Sequence, residues 1–172
     1  AGVAPNTGHL VLARWESACP DFTLITQNVD GLHAKAGSRN ILALHGDIWK
    51  VRCTREQKVT ENDDSPLQEI PPRCPDCGAL LRPHIVWFGE ALDAGMLRRA
   101  FSASVRSEVM FVIGTSAVVE PAASLPFHAA AAGSKIVEIN PVPTPLTPYA
   151  DIALNGNAGE TLAEIDERLK AG

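Results

Sequence analysis

Val109-Met110-Phe111-Val112-Ile113-Gly114-Thr115-Ser116 is the stretch on which the fold turns. Five apolar residues in succession, with no polar alternation, predict a strand covered on both faces. Strands of that kind belong to parallel sheets flanked by helices. The Gly-Thr-Ser that follows closes the strand with a small loop rich in hydrogen-bonding groups.

The flanks repeat the alternation. Upstream, Asp93 to Val105 predicts a helix with Leu97, Ala100, Phe101 and Val105 at helical spacing. Downstream, Pro121 to Ala132 reads as a helix capped by Gly133. Ile136 to Ile139 and Asp151 to Leu154 read as strands, and a last helix from about Glu160 places Leu162, Ile165 and Leu169 on one face. At the other end, Asn6 or Thr7 caps a helix running to Ala18, with Leu10, Leu12, Ala13 and Trp15 as its apolar positions and Pro20 beyond it. Phe22 to Thr26 and Ile41 to Leu44 are two further strand-like runs. Strands and helices joined by short links predict an α/β fold, with a doubly wound, Rossmann-like parallel sheet.

One segment breaks the pattern. From Asp47 to Pro83 charged residues and prolines dominate and periodicity fades, which predicts a small inserted module rather than more sheet. The expected division is therefore residues 1–46 and 84–172 as the Rossmann-like lobe and 47–83 as a zinc-ribbon-like module. Regular structure is expected to resume at Ile85-Val86-Trp87-Phe88. Three of the four cysteines lie in or beside the module's core: Cys53, Cys74 and Cys77. Cys74-Pro75-Asp76-Cys77-Gly78 has the spacing of a zinc knuckle. A fourth ligand is expected at position 56, where Glu56 stands, and a carboxylate can ligate zinc. The residues leave three readings: a three-cysteine zinc site with one further ligand, an empty degenerate site, or a redox pair. Pro71-Pro72 before the pair and Gly78 after it disfavour the redox reading, which wants a helix opening at the pair. Cys19 is expected to be a buried or half-buried structural thiol.

Composition sets the outer limits. The 172 residues carry 15 Lys+Arg and 20 Asp+Glu, a net charge of −5, with 45% hydrophobic residues. These values suit an ordinary globular chain and disfavour intrinsic disorder. The acidic balance disfavours direct nucleic-acid binding. No apolar run reaches the length that spans a bilayer, and Ala1 to Asn6 does not read as a signal peptide, so a cytoplasmic protein is expected. A monomer is the expected state.

Four loops follow the four candidate strands: Thr26-Gln27-Asn28-Val29-Asp30, Gly114-Thr115-Ser116, Asn140-Pro141 and Asn155-Gly156-Asn157-Ala158. Each alone is an ordinary turn. Together they line the edge of an open α/β sheet where ligands bind, and their amides and hydroxyls suit ribose and phosphate oxygens. The Gly-x-Gly-x-x-Gly turn of hydride-transfer enzymes is not found, which disfavours that class.

The ordered set Thr26 to His33, His45-Gly46, Cys74 to Gly78, Leu81 to Glu90 (Leu-Arg-Pro-His-Ile-Val-Trp-Phe-Gly-Glu), Gly114-Thr115-Ser116 and Glu138-Ile139-Asn140 resembles the sirtuins. These are NAD-dependent protein lysine deacylases, and the wording is most similar to the bacterial type and to the mitochondrial type that favours acidic acyl groups. The resemblance runs from Pro5-Asn6-Thr7-Gly8-His9 to the C-terminus. It implies NAD and zinc as cofactors and an acyl-lysine protein or peptide as partner. It implies deacetylation, or desuccinylation, yielding nicotinamide, free lysine and an O-acyl-ADP-ribose, with His45 as general base on a ribose hydroxyl. An imidazole suits that task because it titrates near neutral pH.

By the same resemblance Gln27, Asn28, Val29 and Asp30 line the nicotinamide and its ribose. Gly114, Thr115 and Ser116 meet ribose and phosphates, Asn140 the adenosine ribose and Ala158 the adenine. Val86 and Phe88 wall the lysine tunnel, Gly89-Glu90 and Val118-Val119 flank the substrate backbone, and Cys53, Cys74 and Cys77 hold the metal. The family's Gly-Ala-Gly-x-Ser loop, its Phe-Arg-Gly and the Tyr and Arg that select acidic acyl groups are not among these residues. The chain alone is therefore expected to bind NAD poorly and to turn over slowly or not at all, and the alternative reading is a truncated, weak or inactive zinc-bearing module that binds peptide.

Overall fold

The computed structural model describes residues 2–171. In chain order the elements are α1 (Thr7–Ala18), β1 (Leu24–Thr26), α2 (Leu32–Lys35), β2 (Ile41–Ala43), β3 (Gly46–Cys53), β4 (Val59–Glu61) and β5 (Leu81–Ile85). There follow α3 (Ala94–Arg106), β6 (Val109–Ile113), α4 (Leu125–Ala131), β7 (Lys135–Asn140), β8 (Ile152–Asn155) and α5 (Ala158–Ala171).

β6, β7 and β8 form a parallel sheet in that order, and β1 pairs in parallel with β2. Helices cover both faces of the three-stranded sheet. On one side Val11 of α1 and Leu162 of α5 pack against Ile139, with Phe111 and Leu154 beside them. On the other, Ala129 of α4 packs against Val112 and Ile136. Ile136 and Ile139 are fully buried and three residues apart on β7, so they serve opposite faces. Burying each removes roughly 1.5–3 kcal/mol of apolar exposure cost. A third cluster, Leu42, Leu44, Ala100 and Leu125, gathers Ile25 of β1 and Met110 of β6 onto one core. The parallel, doubly wound expectation therefore holds.

The reading of the quoted strand needs one correction. β6 is only partly covered, with Val109 exposed, and β7 is the strand buried along most of its length, being the central one.

Local chemistry explains the helix ends. The Asn6 side chain accepts the His9 N–H at 3.2 Å and starts α1, and the Asp93 carboxylate accepts the Met96 N–H at 2.6 Å and starts α3. The helix expected from Pro121 divides into a 3-10 turn at Ala122–Ser124 and α4, with Pro126 in the first turn of α4, where its missing N–H costs nothing. On α1 the buried position is Val11, whereas Leu10 is exposed. On α5 Leu169 is exposed, and the buried side chain one turn after Leu162 is Asp166. Its carboxylate accepts from Arg14 at 2.6 Å, from the Trp15 indole at 3.0 Å and from Lys170 at 2.6 Å. Cys19 at the end of α1 is exposed, contrary to the expectation of a buried thiol.

The segment read as something other than sheet is built on one. β3 is the centre of a three-stranded antiparallel sheet, flanked by β4 and β5. β3 starts one residue before position 47 and β5 ends two residues after position 83. Short strands, a register shift between Asp47 and Val51, and exposure of all three β4 residues erased the alternation a sequence reading depends on. Ile85 closes β5, and Val86 to Glu90 is a turn rather than the resumed strand expected there.

No helix among the described residues is long and apolar enough to cross a membrane.

Candidate active site and metal centre

The carboxyl ends of β1, β6, β7 and β8 carry the four polar loops picked out from sequence. Their backbones interlock: Gly114 N–H donates to the Ile139 carbonyl at 2.9 Å and Gly156 N–H to the Asn140 carbonyl at 3.2 Å. Asn140 and Asn155 are register partners. The Asn140 amide donates to the Val142 carbonyl at 3.0 Å. Gly114 takes the left-handed conformation, φ +60°, that a residue with a side chain rarely adopts. Ala158 is the first residue of α5, so the free N–H groups of that helix start face the same edge. The Gln27 amide donates to the Thr115 hydroxyl at 3.3 Å, which ties the loop after β1 to the loop after β6. This donor set of amides, hydroxyls and a helix N-terminus fits a dinucleotide's ribose and phosphate oxygens.

His45 stands where the parallel β1–β2 pair hands over to the antiparallel sheet. Its Nδ1 lies 3.0 Å from the Gln27 carbonyl oxygen, and its own carbonyl accepts the Val86 N–H at 2.9 Å. Gly46, next to it, has φ +85°, and a Cβ there would lie 2.1 Å from the His84 carbonyl oxygen. No other residue fits, so the His-Gly pair is a backbone requirement as well as a chemical one. With Nδ1 donating to a fixed carbonyl, the imidazole presents Nε2 as its free, basic nitrogen.

The loop after β1 is an Asx turn. Asp30 Oδ1 accepts the Leu32 N–H at 2.9 Å, and Asn28 N–H donates to the Thr26 hydroxyl at 3.1 Å. Asn28 and Asp30 are exposed, Gln27 and Val29 half-buried.

The turn after β5 is pinned by Arg82. Its guanidinium reaches the Glu90 carboxylate at 2.6 and 3.0 Å, donates to the Ile85 carbonyl at 3.1 Å and lies 4.0 Å above the Trp87 ring. The Glu90 carboxylate also accepts the Trp87 N–H at 3.0 Å. Arg82, followed by the Trp87 N–H, holds the Glu90 carboxyl down at about 2. The Glu90 N–H is itself engaged by the Trp87 carbonyl at 2.9 Å. Phe88 at the tip is fully exposed, and Val118 and Val119, in the loop after β6, are exposed too. Sequence reasoning missed Arg82, because nothing in its spelling distinguishes a loop-pinning arginine from a solvated one.

Beside the antiparallel sheet Cys53, at the end of β3, and Glu56, Cys74 and Cys77, in the turns around it, bring their ligand atoms within 4.8 Å of one another. Cys53 and Cys74 are buried, and the Cys53 and Cys77 sulfurs are 3.5 Å apart. Zinc–sulfur bonds of about 2.3 Å in a tetrahedron put sulfurs a little under 4 Å apart, so the cluster fits zinc. Glu56 N–H donates to the Cys53 sulfur at 3.4 Å, and Gly78 N–H to the Cys74 carbonyl at 2.8 Å closes the knuckle. Lys58, paired with Asp76 at 2.6 Å, lies beside the cluster and offsets its negative charge.

Comparison with known proteins follows the same lines. A model of the Sir2 family matches residues 1–121. An NAD-dependent protein deacylase of Aquifex aeolicus is 47% identical over 170 residues, covering 99% of this chain and 71% of the relative. One from Mycobacterium tuberculosis is 43% identical over 176 residues, covering 99% of this chain and 73% of the relative. A solved complex of a Sir2 homolog with NAD superposes with a TM-score of 0.94 at 46% identity, covering 99% of this chain and 66% of that one. A complex of Sir2 with a p53 peptide and NAD superposes with a TM-score of 0.90 at 36% identity, covering 99% of this chain and 72% of that one. The chain thus spans about two thirds of the length of the proteins it matches.

Proposed function

The chain belongs to the Sir2 family, and from that premise we propose that its residues carry out NAD-dependent removal of an acyl group from a lysine side chain. The single observation that carries the reading is that Gln27, in the loop after β1, bonds both His45 and Thr115, which joins His45 to the loops at the carboxyl ends of the β6-β7-β8 sheet. NAD, when bound, supplies an electrophilic ribose carbon with nicotinamide as its leaving group.

The chain's own groups divide the remaining work. Gly114, Thr115 and Ser116, Asn140 and Ala158 hold the ribose and phosphate oxygens of the adenosine half. Gln27, Asn28, Val29 and Asp30 hold the nicotinamide end. His45 Nε2 takes a proton from a ribose hydroxyl, while the Gln27 carbonyl fixes the tautomer that makes Nε2 basic. Val86 and Phe88 wall the path of an acyl-lysine, and Gly89, Val118 and Val119 flank its peptide backbone as a third strand between two loops. Glu90, engaged by Arg82, keeps that wall in place. Cys53, Cys74 and Cys77 with Glu56 hold a structural zinc that ties the small module, residues 47–83, together internally, beside the lobe formed by 1–46 and 84–172.

The test is nicotinamide release from NAD with an acetyl-lysine peptide, and in parallel a succinyl-lysine peptide. Slow release that requires the acyl group, at NAD concentrations high enough for weak binding, is the expected outcome. Peptide binding without release would overturn the reading in favour of a binding module.

A further inference from the structure

The first residues of β3 do more than lead into the metal cluster. Ile48 N–H donates to the Val29 carbonyl at 2.9 Å, and the Trp49 indole N–H donates to the Asp30 carbonyl at 2.8 Å. Trp49 is set in turn: its backbone N–H donates to the Asp47 carboxylate at 2.9 Å, and its carbonyl accepts the Asn62 N–H at 2.8 Å. Its ring lies flush on the turn, since a Cβ on Gly31 would sit 2.9 Å from the indole Cδ1. Gly31 has φ +73°, so the turn requires glycine there both for its backbone and for the room the indole takes.

We propose that Trp49 is a positioning residue for the nicotinamide end of the NAD site, through its indole N–H bond to the Asp30 carbonyl. The inference rests on the NAD-dependent reading above. Asp30 is exposed, and its Oδ1 is engaged by the Leu32 N–H, so its side chain contributes no burial that would fix the turn. The turn is held from the β3 side by two donors, and the indole is the only one of them that comes from a side chain. Removing it leaves the Asp30 carbonyl without its cross-strand donor and the turn held only by the Ile48–Val29 bond and its own local bonds, which loosens the placement of Asp30 and the neighbouring Asn28. The adenosine half of the site, on the loops after β6, β7 and β8, has no bond to Trp49 among the described residues.

Trp49→Phe keeps the ring over Gly31 and deletes only the donor. Calorimetric titration of the chain with NAD and with ADP-ribose, which keeps both riboses and phosphates and lacks only nicotinamide, isolates what the nicotinamide contributes. One neutral hydrogen bond corresponds to an affinity change of about 3- to 10-fold. NAD affinity is expected to fall by that factor, with ADP-ribose affinity unchanged and the chain still folded. An equal fall for both ligands assigns Trp49 a merely structural role and overturns the inference. Unchanged NAD affinity overturns it as well. Failure of the unsubstituted chain to bind NAD at all would overturn the functional reading itself, and this inference with it.

Discussion

The Nδ1 of His45 lies 3.0 Å from the backbone carbonyl oxygen of Gln27. A backbone carbonyl only accepts, so Nδ1 carries the proton and Nε2 is the base. In the proposed reaction, as the sirtuin resemblance implies it, this proton transfer follows departure of nicotinamide. His45→Ala is therefore expected to cut acyl-lysine turnover by about 10²- to 10⁴-fold, the range of general-base contributions. Exchange of labelled nicotinamide into NAD, which precedes that transfer, is expected to survive. Equal loss of both, with the fold intact by circular dichroism, would move His45 from base to ligand binding.

The identity of position 56 governs the metal centre. Three sulfurs and one carboxylate fit zinc, and the Glu56 oxygen is within 4.8 Å of every sulfur. Cobalt substituted for zinc reports thiolates through charge-transfer absorption. Glu56→Cys is expected to raise that band by about one third, from three thiolates to four. Glu56→Ala is expected to leave the band and to weaken zinc by about tenfold or more, the scale on which even outer partners of a ligand act. A Glu56→Ala variant that holds zinc as tightly as the parent would remove Glu56 from the ligand set.

The cluster also shows how much the sequence made legible. Cys74 to Gly78 was readable because a knuckle is local: two thiolates two residues apart and a glycine at φ +69° depend on nothing distant. The parallel strands were readable for a similar reason: Ile136, Val137 and Ile139 are buried apolar neighbours, and the one charged residue among them, Glu138, is buried with its carboxylate accepting from the Thr144 and Thr147 hydroxyls. β3, β4 and β5 were not readable, because their order comes from long-range pairing such as Arg52 with Arg82 and a register shift that no local pattern records. The same holds for Trp49 and Arg82, whose roles lie in what they reach across the fold: Asp30, 19 residues away, and Glu90, eight away. Leu10 and Val11 exchanged places for a simpler reason. Leu12 and Trp15 do pack inward, and Leu10 lies about 100° round the helix from Val11, at the edge of that buried face.

Arg82 and Glu90 make a testable pair. The bidentate bond and the Trp87 N–H orient the turn that carries Phe88. Glu90→Gln keeps the shape and removes the charge. The KM for an acyl-lysine peptide is expected to rise about 3- to 10-fold, with NAD affinity unchanged. Because the Glu90 carboxyl is held at about 2, its contribution is present above the ordinary glutamate value and is lost only as pH falls toward 2. The ratio of parent to variant should therefore be the same at pH 7 and at about pH 5, a little above the ordinary carboxylate range. A ratio that collapses by pH 5 would mean that the ion pair does not hold the turn.

Asp166 joins the two helices that cover one face of the sheet. Lys170 first, then Arg14 and the Trp15 indole hold its carboxyl well below the usual aspartate range. A carboxyl depressed in the folded state contributes stability that is fully present above its unfolded value and is lost as pH falls through the folded value. Asp166→Asn leaves the Arg14 guanidinium and the Lys170 ammonium facing a neutral amide. Its unfolding midpoint is expected to fall below the parent's at pH 7. The gap is expected to hold down to about pH 5 and to narrow below about pH 4, as protonation of the unfolded parent's carboxyl weakens its advantage. Thermal unfolding of both proteins from pH 7 to pH 3 checks the sign. A gap that widens on acidification would place the stabilisation elsewhere, in the packing of Trp15 on Phe111 at 5.3 Å rather than in the charge it caps.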